Sequence, residues 1–370
     1  MDRGTGDATT DWILEGPPGR IVRAGGAEYL YFGGNDYLGM SGHPETIAAA
    51  KEAVDRFGVG AAASRRTTGT IGVHRELERA LAHWKGEEDA CLFASGYLGP
   101  RAVIEAAARP GDLFAVDESA HPALQTALPR QADVMTFPHF DGDGLRVLLA
   151  SRSPDPRVLV LFDAIDAEGR TAPLEALADA VAERPHLLIA DGAHGFGILG
   201  KEGRGLAGTT ARRDLALIET ATLSKALGSF GGFVAAEGSV IAGIRAAAPS
   251  YGGATALPAA SAAAALAALC VLAREPERRR RVFEVATTLA KGLAHLGAAV
   301  HGGESPFFSP PNWTGARAER IAECARSEGI LIPKIRYPTA ASAARLRLVV
   351  TSEHRDEDIR RLLELISRVL

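Results

Sequence analysis

Residues 158–195 read VLVLFDAIDAEGRTAPLEALADAVAERPHLLIADGAHG. An apolar run, Val158 to Phe162, precedes a stretch with apolar residues three and four apart, Leu174 to Val181, and a second apolar run, Leu187 to Ala190, follows. That is strand, helix, strand. Two strands joined through a helix run parallel, and a parallel sheet has both faces covered, so each strand reads as a continuous apolar run rather than an alternation.

The same alternation extends in both directions, from about residue 45 to 240. Further strands are expected at Cys91 to Ala94, Leu113 to Val116, Val134 to Phe137, Leu217 to Thr222 and Gly232 to Ala235, with helices at Pro44 to Phe57, His74 to Trp84 and Leu98 to Ala107. After Ser250 the texture changes to two long helical patterns, short strand-like runs near Ala298 and Leu346, and a last helix from about Asp356 to Leu370. The reading is α/β: an N-terminal segment (1–44), a large mostly parallel-sheet domain (45–250) and a smaller C-terminal α+β domain (251–370).

Composition narrows the function. With 41 Lys plus Arg against 45 Asp plus Glu, the net charge of −4 does not favour a polyanion. The basic run Arg278 to Arg281 reads as a solvated helix face. Three cysteines, Cys91, Cys270 and Cys324, show no metal-ligand spacing and suit a reducing compartment, so a cytoplasmic enzyme without a bound metal is expected. The apolar stretch Ala254 to Ala273 is mostly alanine and reads as a buried helix rather than a membrane span.

Ligands of parallel sheets gather beyond the carboxyl ends of the strands. There Asp191-Gly192-Ala193-His194 breaks the strand Leu187 to Ala190, placing a carboxylate and an imidazole where a cationic heterocycle could use them; a capping Asp beside a hydrogen-bonded His is the alternative. Lys225 follows the strand Leu217 to Thr222 with no charged neighbour within five residues, which marks a desolvated, reactive amine. Ser95-Gly96-Tyr97 stands at a strand-to-helix turn that could cradle an anion or be only a tight turn. Gly195 to Gly200 matches G-x-G-x-x-G and raises a nicotinamide-dependent oxidoreductase as an alternative, although the motif comes late in the chain.

These segments occur together with Asn35-Asp36-Tyr37-Leu38-Gly39, Ser64-Arg65, Asp117 with His121, Phe137-Pro138-His139-Phe140-Asp141, Ala172-Pro173-Leu174, Gly203-Arg204-Gly205 and Arg345-Leu346-Arg347. In that order and spacing the chain resembles the α-oxoamine synthase family of acyltransferases that depend on pyridoxal 5′-phosphate (PLP). The resemblance implies the type I PLP-dependent transferase fold, as in aspartate aminotransferase, and a homodimer with shared active sites. Carried over by position, Lys225 is the lysine that anchors PLP and removes the Cα proton, Asp191 the partner of the ring nitrogen, His194 the ligand of the ring hydroxyl, and His121 the imidazole stacked on the ring. Ser95, Gly96, Tyr97 and Thr222 would hold the phosphate, aided by Thr255 from the other subunit. Arg347, assisted by Asn35, would clamp the substrate carboxylate.

The implied reaction joins an amino acid to an acyl thioester on CoA or a carrier protein, with loss of CO₂, and releases an α-aminoketone. The chain departs from the family pattern at two places that bear on the substrate. Asp166 stands where the family has a serine near the cofactor, and it is expected to bind substrate and to disfavour dicarboxylic acyl chains. Gly192 stands where the family has a second acid before Ala-His. These departures keep open another PLP reaction of the aldol, substitution or transamination type.

Overall fold

The computed structural model describes residues 12–212, 214–335 and 345–370. Its centre is a seven-stranded sheet, here labelled β1 (Asp89–Phe93), β2 (Leu113–Asp117), β3 (Asp133–Phe137), β4 (Val158–Asp163), β5 (His186–Asp191), β6 (Leu217–Thr222) and β7 (Gly232–Ala236). The strands lie in the order β1-β7-β6-β5-β4-β2-β3. Only β7 opposes its neighbours; the pairings among β2 to β6 are parallel. All seven strands read from the sequence are present.

Period-two geometry explains the continuous apolar runs. In β4, Val158, Val160 and Phe162 pack into one apolar layer and Leu159 and Leu161 into the opposite one. Helices cover both faces. The expected break at residue 250 does not follow the packing, because the helix Ala259–Arg274 sends Ala262, Ala265, Leu269 and Leu272 into the large core against the helix Pro44–Phe57. Among the described residues no single helix is long and apolar enough to cross a membrane.

A separate core lies under the helices Glu277–His295, Gly315–Ser327 and Asp356–Val369. The N-terminal segment joins it. Its hairpin, Ile21–Ala24 with Ala27–Tyr31, pairs in parallel with Ile330–Leu331, and Leu30 and Phe32 are buried in that core. Arg20 adds a two-pronged contact to Asp358 at 2.6 Å in the first turn of the last helix.

Two expectations fail for identifiable reasons. The run near Ala298 forms no strand, because its backbone is satisfied by a side chain: Ala299 N–H donates to Asn312 Oδ1 at 2.9 Å, and Asn312 Nδ2 donates to Gly297 O at 2.7 Å. The strand role falls to Phe307–Phe308, which pairs antiparallel with Leu348–Val349. The basic run is not simply a solvated face either. Arg279 donates to the carbonyls of Ile198 and Gly200 at 2.7 and 2.6 Å, and Arg281 to that of His354 at 2.9 Å. Guanidinium forks here bond backbone carbonyls of neighbouring loops.

Candidate active site

The strand ends deliver the chemistry. β4 and β5 run in register, so Asp163 and Asp191, each the last residue of its strand, are direct neighbours. Two carboxylates this close, at least one deeply buried, cannot both be cheaply ionised. Burial first, and then the charge of Asp191, hold the Asp163 carboxyl well above the usual carboxylate range. Asp163 also accepts the backbone N–H of His121 at 2.8 Å, which pins the head of the short helix Pro122–Gln125 to the end of β4.

Lys225 lies in the turn after β6, where it feels both acids. Burial lowers its amine to about 8; Asp191 and Asp163 oppose the shift and Arg347 adds to it. An amine so placed is partly neutral near pH 8 and can act as a nucleophile. The turn is braced from outside. Gly228 has φ +57°, and a Cβ there would sit 2.2 Å from Ser41 N, so the Lys225 loop closes flush on the N-terminal segment only with glycine.

That segment contributes the next layer. Tyr37 Oη lies 2.6 Å from His194 Nδ1 and 3.2 Å from Asn35 Oδ1, and Asn35 Oδ1 accepts from Arg347 Nη2 at 3.4 Å. The ring of the buried Phe307 forms a common floor, with the Arg347 guanidinium 4.1 Å and the His194 ring 4.8 Å from its centroid. Burial, then the cations Lys225 and Arg347, push the His194 imidazole well below its ordinary range, so it is neutral at pH 7.

At the other end, Ser95-Gly96-Tyr97 leads from β1 into the helix Leu98–Ala107. A Cβ on Gly96 would lie 2.9 Å from Thr222 Cβ, so glycine is needed for this turn to lie against the end of β6. Thr222 Oγ1 donates to Gly231 O at 2.9 Å and accepts from Ser224 N at 3.2 Å. His121 caps its helix through Nδ1, which accepts from Ala123 N at 3.2 Å, and its ring meets that of Tyr97 edge-on at 6.3 Å. Thr255 is exposed and held by an antiparallel bridge to Ser64.

Asp166 requires a correction. Instead of facing an acyl chain, it is buried and its oxygens are committed internally: Oδ1 accepts from Glu168 N and Arg170 N, both at 2.8 Å, and Oδ2 from Arg170 Nε at 2.6 Å and His139 Nε2 at 2.9 Å. His139 Nδ1 reaches Asp117 Oδ1 at 2.7 Å. Burial works against a charged His139, but the bonds to Asp117 and Asp166 outweigh it and raise the imidazole to about 9. The cluster ties together the ends of β2 and β3 and the loop after β4. Its acids are paired within the cluster by His139 and Arg170.

The expected residues Lys225, Asp191, His194, Asn35 and Arg347 thus converge at one place, with His121, Ser95, Gly96 and Thr222 around it. The Gly195 to Gly200 segment lies in turns and leads only into the three-residue 3-10 helix Lys201–Gly203, not an α-helix, so the dinucleotide reading loses the helix N-terminus it needs. Asp163 and Phe307 were not singled out as functional from the sequence. An Asp closing an apolar strand was a usable signal for the first; for Phe307 the sequence held none.

A phosphorylated pyridine aldehyde, the cofactor implied by the resemblance, fits this donor set. A cradle that excludes a Cβ at Gly96 stands at one end, a carboxylate pair at the strand ends, and a lysine with a depressed amine beside them. The family model described as aminotransferase class I and II matches residues 27–366. An 8-amino-7-oxononanoate synthase of Hahella chejuensis is 34% identical over 359 residues, covering 96% of this chain and 90% of that protein. One of Anaeromyxobacter dehalogenans is 37% identical over 355 residues, covering 95% and 89%. Among solved structures, serine palmitoyltransferase of Sphingomonas wittichii superposes with a TM-score of 0.91 at 24% identity, over 98% of this chain and 92% of that one. An 8-amino-7-oxononanoate synthase of Francisella tularensis gives 0.77 at 24% identity, over 92% and 97%. These two establish the shared fold.

Proposed function

This chain belongs to the aminotransferase class I and II family, in its α-oxoamine synthase branch, and from that premise we propose that it joins an amino acid to an acyl thioester with loss of CO₂, releasing an α-aminoketone. It is a PLP-dependent acyltransferase. The observation that carries the site assignment is the Lys225 amine, lowered to about 8 beside the in-register pair Asp163 and Asp191. When bound, PLP supplies the electron sink for negative charge at the substrate Cα.

The residues divide the remaining work. Lys225 Nζ would anchor the cofactor aldehyde, and its amine would serve as the base for the substrate Cα proton. Asp191 would hold the proton of the ring nitrogen, and burial together with the charge of Asp191 holds the neighbouring Asp163 carboxyl well above the usual carboxylate range, which limits the negative charge at the strand ends. His194, neutral and oriented by Tyr37, is positioned to bond the ring hydroxyl, while His121 covers the ring face. Ser95, Gly96, Tyr97 and Thr222 bind the phosphate. Arg347, with Asn35 steadying its fork, takes the substrate carboxylate.

The second subunit completes the site. The exposed Thr255 and the apolar side chain of Phe230, 56% exposed, support a partner surface on which Thr255 serves the opposite phosphate. The unpaired cysteines support a cytoplasmic setting. Because Asp166 is enclosed, neutral and dicarboxylic thioesters both belong in the substrate panel. The test is to supply PLP, scan amino acids against that panel, and follow free thiol and CO₂. Amino-acid-dependent thiol release with matching CO₂ is expected; no release with any pair would refute the reaction.

A further inference from the structure

Beneath the turn Asp191-Gly192-Ala193-His194 lies an ion pair that the catalytic reading leaves unused. Glu219, inside β6, and Lys85, the last residue of the helix Gly72–Lys85, bond directly, and each side chain is only 2% exposed. The other oxygen of Glu219 accepts Leu206 N–H at 3.0 Å. Its carboxylate fills the space a side chain at Gly192 would need, because a Cβ there would lie 2.3 Å from Glu219 Oε1. Gly205 is pressed against the same carboxylate, where a Cβ would lie 2.4 Å from Oε2.

Gly192 is the position where the family pattern carries an acid. We propose that Glu219 is a positioning residue that supplies this acid from the neighbouring strand, so that the Asp191 to His194 turn rests on the carboxylate of β6 instead of bearing its own. The glycine and the glutamate are then two halves of one exchange. A buried carboxylate must be paired, and Lys85 pairs it. The turn packs on this carboxylate at Gly192 and is held there by backbone bonds: Gly192 N–H donates to Thr220 O at 2.8 Å, next to Glu219 in β6, and Ala193 N–H donates to Asp191 Oδ1 at 2.9 Å. Moving the Glu219 carboxylate therefore moves the residues assigned to the ring nitrogen and ring hydroxyl.

This inference rests on the cofactor reading of the turn, and a mutant cycle separates the two. Gly192→Asp, Glu219→Val and the double variant are compared with the wild type for PLP affinity of the apoprotein, thermal midpoint and the pH titration of the bound cofactor's visible absorption. Each single change is expected to weaken PLP binding tenfold or more, by about the coupling seen between touching residues, and to shift the titration. The double variant, with its acid back on the turn and facing Lys85, is expected to recover most of both. Losses that simply multiply in the double variant would overturn the exchange, and so would a titration unmoved in the single variants.

If either single variant fails to fold, Gly192→Ala and Glu219→Asp ask the same question, since a shorter acid returns the space that one methyl takes. Recovery in that pair supports the proposal and additive losses refute it. A wild type that binds no PLP at Lys225 would instead sink the cofactor reading, a result distinct from a failed cycle.

Discussion

Lys85 is buried and Lys225 half-buried, both facing carboxylates near β6, and the chain uses them in opposite ways. Lys85 has one partner, Glu219, in direct contact, and the pair is closed off from solvent. Lys225 has no carboxylate in salt-bridge contact among the described residues; it feels Asp191 and Asp163 only at longer range, and burial leaves its amine lowered to about 8. A lysine in direct contact with a single buried acid works as a structural tie. A lysine desolvated without such a match keeps a neutral fraction and can react.

The sharpest way to break this contrast is to remove each amine. Lys225→Ala should lose covalent attachment of PLP and about four orders of magnitude or more in turnover while its thermal midpoint holds or rises. Mass spectrometry after borohydride reduction and a melting curve would show both. Lys85→Ala should do the reverse, losing about 3 to 5 kcal/mol of stability because Glu219 stays buried and unpaired. Denaturant titration of the apoprotein measures this, and equal stability of the two variants would erase the distinction.

A third change probes the acids that Lys225 shares. Asp191→Asn should retain PLP but slow Cα-proton exchange by about a hundredfold or more, because an amide cannot hold a proton on the ring nitrogen. Exchange followed by NMR at the wild-type rate would remove Asp191 from its role. The amine itself can be titrated without mutation. Capture of PLP by the apoprotein should quicken as pH rises through about 8, the value to which burial lowers Lys225, whereas an ordinary exposed lysine would show its rise nearer 10.

The smallest expected effect concerns a half-buried cation, His139. Its folded value of about 9 lies above the ordinary imidazole value, so its contribution to stability is complete below about pH 6.5 and disappears as pH rises through about 9. The stability gap between wild type and His139→Asn should therefore shrink between pH 6 and pH 10, by up to about 3 kcal/mol. A gap that stays constant over that window would show that His139 is neutral in the cluster.

Much of this was readable along the chain because parallel strands advertise themselves. A run buried on both faces must be continuously apolar, so all seven strands stood out, and the polar residue ending such a run had to face the strand-end crevice. Asp191 and Lys225 were found in this way. The short strand Phe307–Phe308 was not, since two residues carry no period, and with it went the aromatic floor under Arg347 and His194.

What local sequence dictated, then, was the alternation of strands and helices and the chemistry at strand ends, because burial and backbone geometry act over a few residues. Partnership between distant side chains was settled only by the tertiary structure. Asp166 reads as a carboxylate open to substrate until His139 and Arg170 are seen to enclose it. Gly192 reads as a lost acid until Glu219 is found in its place. In each case the decisive contact joins residues on different strands or loops, where the charge a group meets depends on how the sheet is ordered and not on its neighbours in the chain.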